Sequence, residues 1–323
     1  GITAYKIWRI FITKITATKI LDSRAQWTLR TRVFLEDGTV GIGEVPSGIS
    51  TGKKEAALIP IDQAVDNVNN KIADSLVGLD SKKQKEIDQK MLGLDGSKNK
   101  ENMGANSILS VSLAVCEASS KSTDVPLYKY ISSKLSIKES QFELPTPMLL
   151  MLEGGEHATN QMDFQEFMIN PDGSSFEEKI KNGRIIYNVL GDILDRNSYA
   201  TAVGTEGGFC PQKIDLHQAF RLIEQAFEEA ESEKTGIALD VAANSFCSGT
   251  LYNLNGLERK INANDLLLLY KDLVNLHPNL CSLEDPFSEN HLEYWKKIKE
   301  VLGQRTEIIG DDILTTDKDR LSD

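Results

Sequence analysis

The sequence predicts an α/β protein in two parts: an α+β domain, then a series of parallel βα units closed into a barrel or laid out as a doubly wound sheet. Three observations lead there. Residues 5–45 alternate apolar and polar side chains in the manner of antiparallel strands. From residue 200 onward, short apolar runs alternate with helix-like segments. Three of the late runs stop at a carboxylate, in the strings Ala-Leu-Asp240, Ser-Leu-Glu284 and Ile-Ile-Gly-Asp311.

In chain order, residues 10–20 and 30–36 read as strands, and Asp37-Gly38 is a hairpin signal before a third strand over 40–45. Lys6, Arg9 and Lys14 are threaded through apolar neighbours, which suits a strand better than a signal peptide. The basic, acid-free start leaves a mitochondrial targeting segment as an alternative. Residues 46–52 form a loop of small, hydroxylated side chains. Residues 54–93 are helical in pattern, and Asp95-Gly96-Ser97 breaks them. Residues 105–120 form a helix apolar nearly all round, expected to be buried, whose Ser and Ala residues permit close packing. A short helix runs from Pro126 to about Lys134.

Pro145 and Pro147 favour an extended connection. The domains are therefore set at 1–138 and 148–323, with a linker over 139–147. Beyond it, strands are expected at 200–203, 237–241, 280–283 and 308–309, with helices at 217–232, 263–275 and 292–301.

The bulk numbers exclude several classes. With 36 basic against 48 acidic residues, the net charge of −12 argues against nucleic acid or an anionic membrane as main partner. No stretch is apolar for long enough to span a membrane. The 4 cysteines lie far apart without a CxxC pair, as in a cytoplasmic protein with reduced, buried thiols.

Carboxylates at the ends of successive buried strands would meet at one face, where the active site of a barrel is built. Such anionic oxygens need a cation, and hard oxygen ligands select Mg²⁺ or Mn²⁺. One such Asp is usually a helix cap, but three in succession make capping alone a poor account. Upstream, Glu153-Gly-Gly-Glu-His157 and Asp163-Phe-Gln165-Glu166 place polar groups among apolar strand residues. A lone His157 is more often a surface or core histidine, and Gln165 and Glu166 equally suit a solvent face. Glu206 stands among glycines in Val-Gly-Thr-Glu-Gly-Gly-Phe, which lets the backbone approach a ligand closely or simply makes a turn.

Together these strings resemble the enolase family. Asp22-Ser-Arg24, Val45-Pro-Ser-Gly-Ile-Ser-Thr-Gly52, Leu94-Asp-Gly-Ser-Lys-Asn-Lys100 and Gly104-Ala-Asn-Ser-Ile-Leu-Ser-Val-Ser-Leu-Ala114 carry the likeness in the first half. Gly154-Gly-Glu-His-Ala158, Gln165-Glu-Phe-Met-Ile169, Ala202-Val-Gly-Thr-Glu-Gly-Gly-Phe209 and the three carboxylate strings carry it in the second. The resemblance implies an N-terminal α+β domain with an antiparallel sheet and helices, then an incomplete enolase-type α/β (TIM-like) barrel. It implies Mg²⁺-dependent dehydration of 2-phosphoglycerate to phosphoenolpyruvate in glycolysis, a cytoplasmic location and a homodimer. Asp240, Glu284 and Asp311 would hold the first of two Mg²⁺ ions per active site, and Ser50 would complete the second. Glu206, helped by Glu166, would protonate the departing hydroxyl; His157 would close over the substrate and Gln165 border the pocket.

The pattern breaks in places. The family's proton-abstracting Lys follows the third metal carboxylate by about one βα unit, a phosphate-holding string comes later, and neither falls within residues 312–323. A fragment of a longer protein is therefore expected, and negligible turnover from these residues alone. An inactive enolase-like binding or structural protein is the alternative. Ala25-Gln26-Trp27, Ile49, Leu150, Glu153 and Thr205 depart from the family's usual residues. A Glu at 153 would add negative charge beside a pocket for an anionic substrate and weaken its binding.

Overall fold

The computed structural model describes residues 9–46, 55–155, 158, 160 and 162–322. They divide between Glu143 and Leu144 into two units. In the first, β1 (Ile12–Leu21), β2 (Trp27–Leu35) and β3 (Val40–Glu44) form an antiparallel sheet in that order. The alternation read in the sequence sends Ile12, Ile15, Leu29 and Val33 inward. They meet one helix running from Ile61 to Leu76, made of α1 (Ile61–Asp66), a π-helical stretch (Asn67–Ile72) and α2 (Ala73–Leu76). Then come α3 (Gln84–Asp95), α4 (Ala105–Ser122) and α5 (Leu127–Leu135).

The small residues of α4 do what their size allows. A Cβ on Gly41 would lie 2.1 Å from the Ala114 carbonyl oxygen, and one on Gly43 2.0 Å from that of Ser110. Helix and sheet therefore meet backbone to backbone, and Thr31 Oγ1 and Ser110 Oγ share a buried hydrogen bond of 2.8 Å. Burial all round is not what α4 shows. Leu109 and Leu113 remain 46% and 42% exposed, because side chains four apart share a face and theirs points away from the sheet.

The second unit runs β4 (Leu149–Glu153), β5 (Glu166–Asn170), α6 (Phe176–Arg196), α7 (Leu216–Glu229) and β6 (Gly236–Asp240). A small antiparallel sheet follows, of β7 (Cys247–Ser248), β8 (Leu251–Leu254) and β9 (Arg259–Asn262). The chain then forms α8 (Ala263–Leu276), β10 (Leu280–Glu284), α9 (Leu292–Leu302), β11 (Glu307–Ile309) and α10 (Lys318–Ser322). The main sheet is ordered β11-β10-β6-β5-β4. Its core sets Phe164, Phe167, Phe220, Tyr252, Tyr270 and Phe287, all fully buried, among a majority of aliphatic side chains.

Two expectations need correction. The strands are not parallel throughout: β6, β10 and β11 are, but β5 runs against both β4 and β6. An apolar run reads the same in either direction, so the residues of β5 do not reveal which way the strand runs. Residues 200–203 make no strand either; Val203 forms only an isolated bridge with Phe209. Among the described residues the sheet is open, not a closed barrel. The 4 thiols are free and half-buried. No described helix is long and apolar enough to cross a membrane.

Candidate metal and acid–base site

The register of the main sheet aligns four carboxylates. Glu153 ends β4 and pairs across with Glu166, the first residue of antiparallel β5. Glu166 pairs with Asp240 at the end of β6, and Asp240 with Glu284 at the end of β10. A row of acidic side chains thus crosses four neighbouring strands at one edge of the sheet. Nothing about sheet stability asks for this, since like charges side by side on paired strands repel.

One stretch of the row is close enough to share an ion. Ligand oxygens of Asp240, Glu284 and Asp285 lie within 4.8 Å of one another. Asp285 joins because its backbone turns left-handed (φ 41) directly after β10, as does that of Ala242 (φ 47) after β6. Asp285 is 3% exposed, and its two oxygens accept from the main-chain N–H groups of Asp311 at 3.2 Å and Asp312 at 2.7 Å. Asp240 accepts from Ala242 N at 2.9 Å and from Gln165 Nε2 at 3.1 Å.

These contacts do not offset the crowding. Burial, then the charges of Glu284, Glu166 and Asp285, push the Asp240 carboxyl up to about 9. Burial, then Asp285, Asp311 and Asp312, push Glu284 up to about 7. Burial also raises Asp285, to about 6, against the pull of the Asp312 N–H. Glu166 rises to about 8 through burial first, then a side-chain hydrogen bond and repulsion from Glu206, then Glu284 and Glu153. No cation figures among these causes. A bound cation would reverse that balance, and the all-oxygen donor set suits a hard divalent ion. The residues therefore fit Mg²⁺.

A family model described as the enolase C-terminal TIM barrel domain matches residues 141–323, and one for the enolase N-terminal domain matches residues 12–131. A curated enolase of Methanopyrus kandleri is 40% identical over 326 aligned positions, covering 96% of this chain and 75% of the relative. The chain belongs to the enolase family. Its first unit is the enolase N-terminal domain with its antiparallel sheet, and its second the enolase C-terminal domain.

Of the residues that the enolase resemblance singles out, the fold brings Asp240, Glu284, Glu166, Gln165 and Glu206 together. Asp311 stands beside the three-carboxylate group, its N–H on Asp285 and its side chain exposed. Ser50 and His157 lie outside the described residues. Asp285 was not among the expected ligands. Its only signal was adjacency to Glu284 in Ser-Leu-Glu-Asp-Pro-Phe, and only the left-handed turn makes it a neighbour of Asp240. The glycines around Glu206 also make room for a neighbouring side chain. The space beside Gly204 and Gly208 is filled by Glu153, not left for a ligand: a Cβ at Gly204 would lie 2.0 Å from Glu153 Oε2, and one at Gly208 2.9 Å from its Cγ.

Proposed function

We propose that this protein acts as an enolase, a lyase dehydrating 2-phosphoglycerate to phosphoenolpyruvate with Mg²⁺, in glycolysis or its reversal. The observation that carries this reading is the aligned carboxylate row with the Glu166–Glu206 pair at its side. Asp240, Glu284 and Asp311, with Asp285 against the first two, are proposed to hold one Mg²⁺; Ser50 would contribute to a second. When bound, Mg²⁺ supplies positive charge where the substrate carboxylate gains electron density.

The chain's own part is proton handling and placement. Two carboxyl groups sharing a hydrogen bond need one proton between them, and burial together with Glu206 raises Glu166, which favours keeping that proton on the pair. Glu206, the exposed member, is proposed to deliver that proton to the departing hydroxyl. Gln165 donates to Asp240 Oδ2 and holds that carboxylate in place at the pocket's border. His157 is proposed to close over the substrate.

Within residues 312–323 the only lysine is Lys318, at the start of α10, too near Asp311 to end a following strand. The domain limits 1–138 and 148–323, the cytoplasmic location and the homodimer belong to the same reading. It is tested by Mg²⁺-dependent conversion of 2-phosphoglycerate, followed as phosphoenolpyruvate absorbance, with protein expressed from the whole coding sequence. Absence of turnover in a protein that carries a Lys one βα unit beyond Asp311 would sink the reading.

A further inference from the structure

Glu153, paired across the sheet with Glu166, lies outside the three-carboxylate group of Asp240, Glu284 and Asp285. It is fully buried, at 0% exposure. Its Oε1 accepts from the main-chain N–H of Glu206 at 3.1 Å and of Gly208 at 2.6 Å. Gly204 and Gly208 leave room for that side chain, as a Cβ on either would strike it. Its carbonyl oxygen accepts from Asn160 Nδ2 at 2.7 Å, and its N–H donates to the Phe209 carbonyl at 3.0 Å. Tyr187 Oη adds a bond to the Gly207 carbonyl at 2.8 Å.

We propose that Glu153 is the positioning residue for the Glu206 loop: its buried carboxylate, as acceptor for two loop amides, fixes Glu206 against Glu166. This rests on the reading of Glu206 as the acid, though the anchoring itself does not. The Oε1 of Glu153 is spent on loop amides, where partial positive charge meets it, while Oε2 is buried without a hydrogen-bond partner among the described residues. An acceptor oxygen is what the loop requires; the negative charge is secondary. Glutamine keeps the oxygen at the same reach, whereas alanine leaves a buried N–H at Gly208 and a partly buried one at Glu206 without that partner.

The test has two arms. Hydrogen exchange followed residue by residue in the unaltered protein should show the Glu206 and Gly208 amides protected; free exchange at both overturns the anchoring without any variant. In Glu153→Ala, both amides should exchange ~10-fold faster or more, while Glu153→Gln stays within a few-fold of the parent. Turnover of 2-phosphoglycerate, with protein from the whole coding sequence, should lose ~100-fold in kcat for Glu153→Ala at nearly constant KM. Glu153→Gln should restore it. Parent-like exchange and kcat in Glu153→Ala, or a Glu153→Gln as impaired as Glu153→Ala, overturns the proposal. If Glu153→Ala fails to fold, the unaltered protein and Glu153→Gln decide. Absent turnover in the unaltered protein counts against the enolase reading alone, since exchange still reports on the loop.

Discussion

Asp95 in the first unit and Asp240 in the second are both carboxylates set back from solvent, and their environments act in opposite directions. Asp95, 4% exposed, is the last residue of α3 and accepts from Met103 N at 2.6 Å, Asn102 N at 3.1 Å, Ser97 N at 2.9 Å and the Ser97 hydroxyl. Burial works to raise its carboxyl, yet those donors outweigh burial and hold it below the ordinary range. Asp240 has two donors and three acidic neighbours, and rises to about 9. The number of donors aimed at a carboxylate therefore separates the two roles. A carboxylate fully supplied by backbone N–H groups is a structural pin; one set among its own kind is suited to hold a cation.

The largest effect that probes this contrast is chemical. Glu206→Gln should cut turnover ~10²–10⁴-fold, as loss of a general acid does, with Mg²⁺ binding unchanged. Turnover that survives the change would remove Glu206 from its role. Next comes stability. Asp95→Ala should cost about 3 kcal/mol in denaturant melts, because several donors lose a charged acceptor together. Asp240→Asn, measured without metal at pH 8, should cost nothing or stabilise, since the neutral amide need not take up a proton on folding. Equal losses in the two variants would erase the distinction.

Acid and base should then pull the two sites apart. Asp95 is depressed, so its contribution is present above the ordinary carboxylate pKa of about 4 and lost as the pH falls through its folded value. The site carboxylates are raised, so theirs is present below about pH 4 and lost as the pH rises through about 6, 7, 8 and 9 for Asp285, Glu284, Glu166 and Asp240. The melting temperature of the metal-free protein should decline from pH 6 to 9. Mg²⁺ at 100 times its dissociation constant should then return about 2.7 kcal/mol. A flat metal-free profile over that range would contradict the shifts. The smallest effect is a control: Lys19 and Asp62 pair at 2.6 Å but with side chains 41% and 81% exposed. Asp62→Asn should change stability by under ~0.5 kcal/mol, since water screens an exposed pair whatever its geometry.

The legible parts of this molecule are those where burial leaves a period. Ile12, Ile15, Leu29 and Val33 marked β1 and β2, and the Ala and Ser residues of α4 announced the close approach to Gly41 and Gly43. Direction is not periodic, so the antiparallel setting of β5 could not be read from Phe167, Met168 and Ile169. The long helix Phe176–Arg196 was not anticipated, although Ser175 caps it by accepting from Glu178 N. At the site, strand-ending carboxylates were visible because polarity cut off an apolar run. Asp285 and Glu153 were not, since what they do depends on a left-handed turn and on a loop distant in sequence.

The central claim is that the raised carboxylates form a site for a divalent cation. Isothermal titration with Mg²⁺ at pH 7.5, in buffers of different ionisation enthalpy, tests it most directly. Groups with pKa values of about 7, 8 and 9 are partly protonated there, so binding should release protons and tighten with rising pH, and Asp240→Asn should abolish it. Binding without proton release, or binding of equal strength in Asp240→Asn, would contradict the account.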